Sequence, residues 1–259
     1  MPRYEHDGLR LAYYEAGEGT PVLLAHGATG TGEFEWGKLA AALSPQYHCI
    51  APDLRGHGLS DFRAGGFGRA AITADLLALI RHAEAGRPHV VGFSYGAEVV
   101  LRMELEAPGT ARSLILISPG TGRPADYRVP SISFLHRTWP RTLQRLHEAR
   151  HGPDHWRQLV TLLQQDSARD PELPPEALAG VGCPVLLLAG DHDEPVRRRQ
   201  GRRFAQVNPR AMYVEIAGAA HAVHLERPTE VARVVSDFLA SAGKGAGLTP
   251  TGTSTDQGS

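Results

Sequence analysis

The sequence has few cysteines and no long apolar run, and both absences narrow the class of protein. Among its 259 residues are two cysteines, Cys49 and Cys183, each within an apolar stretch. A disulfide framework needs more cysteines, so both are expected to be buried thiols. No stretch approaches the roughly 18 consecutive apolar residues of a membrane span, and residues 1–7 lack the apolar core of a signal peptide. A soluble, cytoplasmic protein is therefore expected.

Neither positive nor negative charge is in excess, and no metal or organic cofactor is expected. The chain has 27 Lys and Arg against 28 Asp and Glu, a formal net charge of -1. This balance gives no reason to expect nucleic acid or an anionic membrane as the main partner. No G-x-G-x-x-G follows a predicted strand, so no organic cofactor is predicted, and no metal is expected either. A small molecule is the expected partner, and the oligomeric state is left open.

Short apolar runs alternate with helical patterns along most of the chain. Six runs suit strands buried on both faces, at 22–25, 47–51, 89–91, 113–117, 184–189 and 212–216. An apolar stripe over 72–83 predicts a helix, a second helix is expected from Ser94 to about Pro108, and a third carries the stripe 231–239. The alternation predicts an α/β fold, a mostly parallel central sheet flanked by helices.

Two segments break this pattern. Residues 121–181 are rich in Arg, His, Pro and aromatics, which predicts a helical insertion rather than more sheet. Residues 243–259 are rich in Gly, Thr and Ser and carry a single Leu, so a disordered tail is expected. The predicted core is therefore made of residues 1–120 and 182–242.

The segment Gly92-Phe93-Ser94-Tyr95-Gly96 has the form G-x-S-x-G between a predicted strand and a predicted helix. A serine on such a sharp turn lies in strained backbone, and the flanking glycines relieve the crowding. The turn would place the Ser94 hydroxyl at a helix N-terminus, where backbone N–H groups favour a developing negative charge. Taken alone, these residues are also compatible with a Gly/Ser loop that simply ends a strand.

Four motifs together resemble those of the α/β-hydrolase family, specifically its small esterase, lactonase and cofactor-free haloperoxidase-like branch. In chain order they are His26-Gly27, the loop D-L-R-G-H-G-L-S from Asp53 to Ser60, the elbow at Ser94, and the pair Gly190-Asp-His-Asp193 and Gly218-Ala-Ala-His221. The resemblance extends over residues 9–242. It implies the α/β-hydrolase fold, with residues 121–181 as a helical cap, or lid, over the active site.

The resemblance also implies a catalytic triad of Ser94, Asp193 and His221. A serine hydroxyl needs a base to take its proton, and the base needs a third group to fix its tautomer. The chain order Ser, Asp, His is that of this fold. Asp191 and Glu194 are nearby alternatives for the acid. His224 is the alternative base and, by resemblance, a packing residue.

The oxyanion hole is expected to be formed by the backbone N–H groups of Ala28 and Tyr95. His26 and His57 are interpreted as hydrogen-bond partners that order loops. The Asp53–Ser60 loop is interpreted as structural, with its Asp and Arg tying it to the sheet. A direct role of this loop in substrate binding is the alternative.

The predicted cap carries an excess of positive charge. Over residues 120–160 seven arginines stand against three acidic residues. Solvated helix faces are the simpler interpretation; contact with an anionic substrate or an acidic carrier is the alternative. The arginines are Arg123, Arg128, Arg137, Arg141, Arg145, Arg150 and Arg157, and the acids are Asp126, Glu148 and Asp154. Apolar candidates to line or close a pocket are Phe134, Leu135, Trp139, Trp156, Leu159 and Leu163.

These features favour a serine hydrolase that cleaves an ester, lactone or thioester through an acyl-enzyme. One alternative keeps the triad for elimination, C–C cleavage or another lyase reaction. A second alternative is a ligand-binding protein that does not turn over. An epoxide hydrolase or dehalogenase of the usual kind is disfavoured, because those enzymes use Asp where this chain has Ser94.

Overall fold

A computed structural model of the chain describes residues 1–125, 131–138 and 141–243. The strands in these ranges are β1 Arg3–His6, β2 Leu9–Ala16, β3 Thr20–Ala25, β4 Tyr47–Pro52, β5 His89–Phe93, β6 Ser113–Ile117, β7 Val185–Gly190 and β8 Ala211–Ile216. They form one sheet in the order β1-β2-β4-β3-β5-β6-β7-β8. β2 pairs antiparallel with β1 and with β4, and every other neighbouring pair is parallel. The predicted mostly parallel sheet is confirmed.

Helices cover both faces of the sheet. They are α1 Gly32–Leu43, α2 Arg69–His82, α3 Tyr95–Glu106, α4 Ile132–Thr138, α5 Arg141–His151, α6 His155–Ala168, α7 Pro175–Ala179, α8 Pro195–Val207, α9 Val223–Glu226 and α10 Pro228–Gly243. Alternate strand residues enter opposite cores: Val90 packs with α2 and α3, whereas Val91 packs with α1 and α10. Burial on both faces explains why the strands are continuous apolar runs.

The six predicted strands and the three predicted helices are present with small shifts of their ends. The hairpin of β1 and β2 and the helix α1 were not predicted. A signal for the hairpin was available, because Asp7-Gly8 joins the strands with positive φ angles of 52° and 70°, as expected of a two-residue hairpin turn. Leu9, Leu11 and Tyr13 also alternate with other residues and enter the core.

The insertion between β6 and β7 is helical where the structure describes it, as predicted. α4, α5, α6 and α7 lie within it, and Leu159 and Leu163 of α6 join the core. Asp126, Arg128, Trp139 and the predicted tail beyond Gly243 lie outside the described residues.

Cys49 and Cys183 are buried and unpaired, as expected. Within the described ranges, no helix has the length and hydropathy needed to cross a membrane. No group of three or more His, Cys, Asp or Glu side chains in those ranges is arranged to hold a metal ion.

Candidate active site

The candidate residues follow the carboxyl ends of four parallel strands. β3 ends at Ala25, β5 at Phe93, β7 at Gly190 and β8 at Ile216. Parallel strands present these ends at one edge of the sheet, where the following loops meet. The loops at 26–31, 94, 191–194 and 217–222 are thereby brought together.

Ser94 occupies a strained turn between β5 and α3. Its φ and ψ angles are 49° and -113°, in a region that non-glycine residues rarely adopt. A Cβ atom at Gly92 would come within 2.7 Å of the Ala97 backbone, and one at Gly96 would overlap the carbonyl oxygens of Ala25 and His26. Both glycines are therefore required for steric reasons, as the sequence pattern suggested. The turn is fixed by a 2.9 Å hydrogen bond from the Ser94 N–H to the Ile117 carbonyl.

Ser94, His221 and Asp193 form a hydrogen-bonded chain. Ser94 Oγ lies 3.0 Å from His221 Nε2, and His221 Nδ1 lies 2.9 Å from Asp193 Oδ1. A ring protonated on Nδ1 donates to the carboxylate and leaves Nε2 free to accept the hydroxyl proton. This is the geometry in which a serine hydroxyl can be activated.

The alternative candidates for the acid and the base contact other groups. Asp191 Oδ1 accepts the Ala219 N–H at 3.3 Å, which orders the loop before His221. Glu194 lies 3.2 Å from the Arg197 guanidinium. Nε2 of His224 lies 3.3 Å from Glu35 Oε1.

Asp193 and Ser118 hold His221 in place. Burial alone would raise the pKa of Asp193, but the hydrogen bond and charge of His221 and the Glu194 N–H bring that pKa below its ordinary value. The carboxylate is therefore ionised at neutral pH. The Ser118 hydroxyl donates to the His221 carbonyl at 2.6 Å, which fixes the backbone of the histidine loop.

The loop after β3 carries Ala28, which lines the same pocket as Ser94 and Tyr95. The His26 Nδ1–H donates to the Gly27 carbonyl at 2.7 Å, and its Nε2 accepts the Leu54 N–H at 3.0 Å. Burial lowers the pKa of His26, consistent with this neutral ring. The contacts support the interpretation of His26 as a loop-ordering residue.

His57 has a role similar to that of His26. Its Nε2 is 3.1 Å from the Ala28 carbonyl and its Nδ1 is 3.1 Å from the Arg55 carbonyl. Burial holds the pKa of His57 well below its ordinary value. The neutral ring donates to one of the two carbonyls and therefore orders the loops around it.

The side chains of Asp53 and Arg55 bond other parts of the protein, which agrees with the interpretation of the Asp53–Ser60 loop as structural. Asp53 accepts the N–H groups of Gly32 and Leu59, both at 2.8 Å. One part of the expectation was wrong, because these Asp53 bonds go to α1 and to the loop itself, and Arg55 bonds a helix, rather than the sheet. Its guanidinium bonds both carboxylate oxygens of Asp75 in α2, at 2.6 and 2.7 Å.

A pocket of about 220 Å³ opens onto Ser94 between the sheet edge and the insertion. Of the predicted apolar candidates, Leu135 and Leu163 line it. Phe134 is 49% exposed, whereas Trp156 and Leu159 are buried outside the pocket lining. The pocket wall also includes Val160, which was not predicted.

Among the arginines of the insertion, Arg123 lines the pocket. Arg150 pairs with Asp61 at 3.1 Å and Arg157 with Asp154 at 2.8 Å, both on exposed surface. For these two residues the solvated-face interpretation is supported. Arg123 remains a candidate for contact with an anionic group.

A group of ion pairs at the pocket was not predicted from the sequence. Arg69 is 6% exposed and its guanidinium bonds Glu98 and Asp166, while the Tyr95 hydroxyl donates to Asp166 at 3.0 Å. The residues come from α2, α3 and α6, so no local motif joins them. A partial signal existed, since Arg69 stands three residues before Ile72 on the apolar stripe of α2.

Comparison with known proteins shows what this arrangement is similar to. Residues 22–234 match the alpha/beta hydrolase family. A pyrrolizixenacetamide deacetylase from Xenorhabdus hominickii is 25% identical over 258 residues, which cover 90% of this chain and 95% of that protein.

Two solved structures share the fold. An enol-lactonase from Burkholderia xenovorans LB400 superposes with a TM-score of 0.77 at 22% identity, covering 92% of this chain and 100% of that one. A meta-cleavage product hydrolase from Pseudomonas fluorescens IP01 gives a TM-score of 0.76 at 20% identity, covering 91% of this chain and 96% of that one. With the family match extending over most of its length, the chain belongs to the alpha/beta hydrolase family.

Proposed function

We propose that the protein is a serine hydrolase that cleaves an ester, lactone or thioester through an acyl-enzyme on Ser94. The observation that carries the proposal is the chain Ser94–His221–Asp193, with contacts of 3.0 and 2.9 Å, at the wall of a pocket. A strained serine at a helix N-terminus, joined to a histidine and an ionised carboxylate, has the parts that nucleophilic catalysis needs.

In the first half-reaction Ser94 Oγ attacks the substrate carbonyl while His221 Nε2 takes the hydroxyl proton. The resulting imidazolium is stabilised by Asp193, which keeps its own negative charge. The carbonyl oxygen becomes an oxyanion, for which the N–H groups of Ala28 and Tyr95 are the proposed donors. His221 then gives the proton to the leaving oxygen or sulfur, the tetrahedral intermediate collapses, and the acyl group remains on Ser94.

In the second half-reaction a water molecule attacks the acyl carbonyl and loses a proton to His221 Nε2. A second oxyanion forms and is bound by the same two N–H groups. When it collapses, the bond from the acyl carbon to Ser94 Oγ breaks, and His221 returns the proton to the serine oxygen. The products are the free acid and a regenerated hydroxyl.

The pocket favours a small substrate with one apolar part. Its volume of about 220 Å³ lies below the roughly 300–1,000 Å³ common for ligand sites. Leu135, Val160 and Leu163 form an apolar wall. The charged residues of the lining include Arg123 and also Arg197, which pairs with Glu98 and Glu194. In this proposal the helices of the insertion act as the cap, and a short acyl chain packs against α6.

The names of related proteins agree with acyl-group chemistry. The Xenorhabdus relative is named a deacetylase, and one structural neighbour is named an enol-lactonase. Hydrolysis of both bond types requires attack on a carbonyl carbon, for which the site of this chain is suited.

The test combines covalent labelling with turnover. A serine-directed fluorophosphonate should label the wild type, and p-nitrophenyl acetate or butyrate should be hydrolysed. Ser94→Ala should abolish the label and nearly all turnover while the melting temperature stays close to that of the wild type. Ser236→Ala, on α10, is the matched control and should behave as the wild type. A label that persists in Ser94→Ala would refute the assignment of the nucleophile.

A further inference from the structure

A buried carboxylate lies behind the loop that carries Ala28. Glu35 belongs to α1 and is 5% exposed. Its Oε2 accepts the N–H of Gly27 at 2.8 Å. The side chain therefore binds the backbone at the residue immediately before the proposed oxyanion donor.

The hydrogen bonds of Gly27 determine which N–H group is left for the pocket. The Gly27 N–H is engaged by Glu35, and the Gly27 carbonyl is engaged by the His26 ring at 2.7 Å. In a trans peptide the N–H of the next residue points opposite to that carbonyl. No hydrogen bond from the Ala28 N–H to another described residue is present, so this N–H is the one available to a ligand.

The loop is folded directly onto the carboxylate. A Cβ atom at Gly30 would overlap Glu35 Oε2, and one at Gly27 would come within 2.7 Å of the Phe93 ring. Only glycine allows this close approach of the backbone. The loop conformation and the position of the Glu35 carboxylate are thus mutually dependent.

The second carboxylate oxygen is opposed by a histidine. Glu35 Oε1 lies 3.3 Å from Nε2 of His224, which is 4% exposed. The His224 ring packs between the rings of Trp36 and Phe93, with centroids 4.9 and 4.4 Å away. Phe93 also contacts the His221 ring at 5.1 Å, so this packing reaches the triad.

Glu35 is ionised in this environment. Burial alone would raise its pKa, but the nearby His224 ring and the bond from the Gly27 N–H bring the pKa below its ordinary value. Hydrogen bonds to ionised acceptors are stronger than those between neutral groups. The Gly27 N–H is therefore held firmly.

We propose that Glu35 is a positioning residue for the oxyanion hole: by binding the Gly27 N–H, it turns the Ala28 N–H toward the carbonyl oxygen that Ser94 attacks. The inference rests on the proposed function, since it assumes attack by Ser94. Glu35 itself does not touch the substrate and acts through the loop.

Three variants separate positioning from bulk stability. Glu35→Leu removes the acceptor while keeping an apolar volume. Glu35→Gln removes the charge but retains an oxygen that can accept the Gly27 N–H. Glu33→Gln, exposed on the same helix, is the matched control. For each we would measure kcat and KM for p-nitrophenyl butyrate, the melting temperature, and the inhibition constant of 1-butaneboronic acid, which forms a tetrahedral adduct with a serine.

Glu35→Leu should lower kcat about 10- to 100-fold, less than the roughly 10²–10³ lost when an oxyanion donor is removed outright. The boronate inhibition constant should rise in parallel, whereas KM should change less than about threefold, because the oxyanion exists only after attack. Glu35→Gln should keep kcat within about threefold of the wild type, since the acceptor is retained. Glu33→Gln should match the wild type in every measurement.

The proposal is overturned if Glu35→Leu changes only the melting temperature and keeps the wild-type kcat and boronate affinity. If this variant does not fold, Glu35→Asp decides, because its shorter side chain withdraws the carboxylate from Gly27 while keeping the charge. A loss of kcat in that variant supports the proposal and a wild-type kcat refutes it. Wild-type turnover that does not depend on Ser94 would instead refute the proposed function.

Discussion

Nε2 of His147, in helix α5 of the insertion, lies 3.0 Å from the carbonyl oxygen of Thr29. This contact joins the insertion to the loop that carries Ala28, one residue beyond the proposed oxyanion donor. His147 is fully buried, and its ring packs 5.3 Å from that of His57. The position of the insertion and the conformation of the loop are therefore connected through one histidine.

The first prediction concerns the stability of the fold in acid. Burial lowers the pKa of His147 to about 4. The unfolded chain takes up this proton near the ordinary histidine pKa of about 6.5, whereas the folded chain resists it. The stabilising contribution is thus complete above pH 6.5 and is lost as the pH falls through the folded pKa. Burial also lowers the pKa of His151, in the same helix, to about 4.

Urea denaturation of the wild type and His147→Gln between pH 8 and 4 checks this expectation. The glutamine can still donate to the Thr29 carbonyl but does not titrate, so its free energy of unfolding should fall less steeply below pH 6.5. His192→Gln, at a side chain that is 72% exposed, serves as the control and should follow the wild-type curve. Equal slopes for the wild type and His147→Gln would contradict the prediction.

The second prediction separates the two histidines of the loop after β8. His221→Ala removes the base from Ser94 and should lower turnover by at least about 10³, because nucleophile and base act as a unit. His224→Ala instead removes a buried ring that packs between Trp36 and Phe93, and it should lower the free energy of unfolding by about 2–5 kcal/mol, the range for large-to-small changes at buried positions.

Turnover and chemical denaturation measured on both variants decide between these roles. The folded fraction of His224→Ala should retain turnover to within about tenfold, since the Ser94–His221 contact remains. A variant His224→Ala that is fully stable but inactive would assign the base to His224.

Most of the candidate site could be predicted, because its parts follow from local sequence patterns. The elbow at Ser94 follows from two glycines, a strand and a helix that are adjacent in the chain. The strands follow from apolar runs, because a sheet buried on both faces needs no alternation. Asp193 and His221 were assigned by resemblance to family loops, and the structure brings both to Ser94.

The parts that were missed depend on contacts between distant segments. Glu35 looks like an ordinary acidic residue in the first turn of a helix, and its partner His224 lies near the other end of the chain. The ionic group of Arg69, Glu98 and Asp166 likewise joins three helices. Such pairs are set by tertiary packing, for which a single sequence has no periodic signal.

The third prediction concerns the length of the acyl chain. Leu163 and Val160 of α6 close the pocket of about 220 Å³, so p-nitrophenyl acetate and butyrate should have a higher kcat/KM than the octanoate. Leu163→Ala should enlarge the pocket. The kcat/KM for the octanoate should then rise about 10-fold relative to that for the butyrate, which is the effect of a few methylene groups in an apolar site. Leu105→Ala, on α3 and absent from the pocket lining, is the control. An unchanged ratio in Leu163→Ala would show that the acyl chain lies elsewhere.

The last prediction concerns the acid. Asp193 Oδ1 accepts from His221 Nδ1 at 2.9 Å and from the Glu194 N–H at 2.7 Å. Asn at this position keeps the size, but its amide group can donate to Nδ1 and so favours the tautomer with Nε2 protonated, which cannot accept the serine proton. Asp193→Asn should therefore lose about 10²–10⁴ in turnover, the upper value being that of the serine-protease template.

Asp191→Asn is the matched control for this change, two residues earlier in the same loop. Asp191 Oδ1 accepts the Ala219 N–H at 3.3 Å, a bond worth about 1 kcal/mol net. Its replacement should lower stability slightly and leave turnover within a few-fold of the wild type. Measuring kcat for both variants on p-nitrophenyl butyrate separates the roles, because a tautomer effect lowers kcat without loss of folded protein. If Asp191→Asn is inactive and Asp193→Asn is nearly wild type, the carboxylate that orients His221 in solution is Asp191.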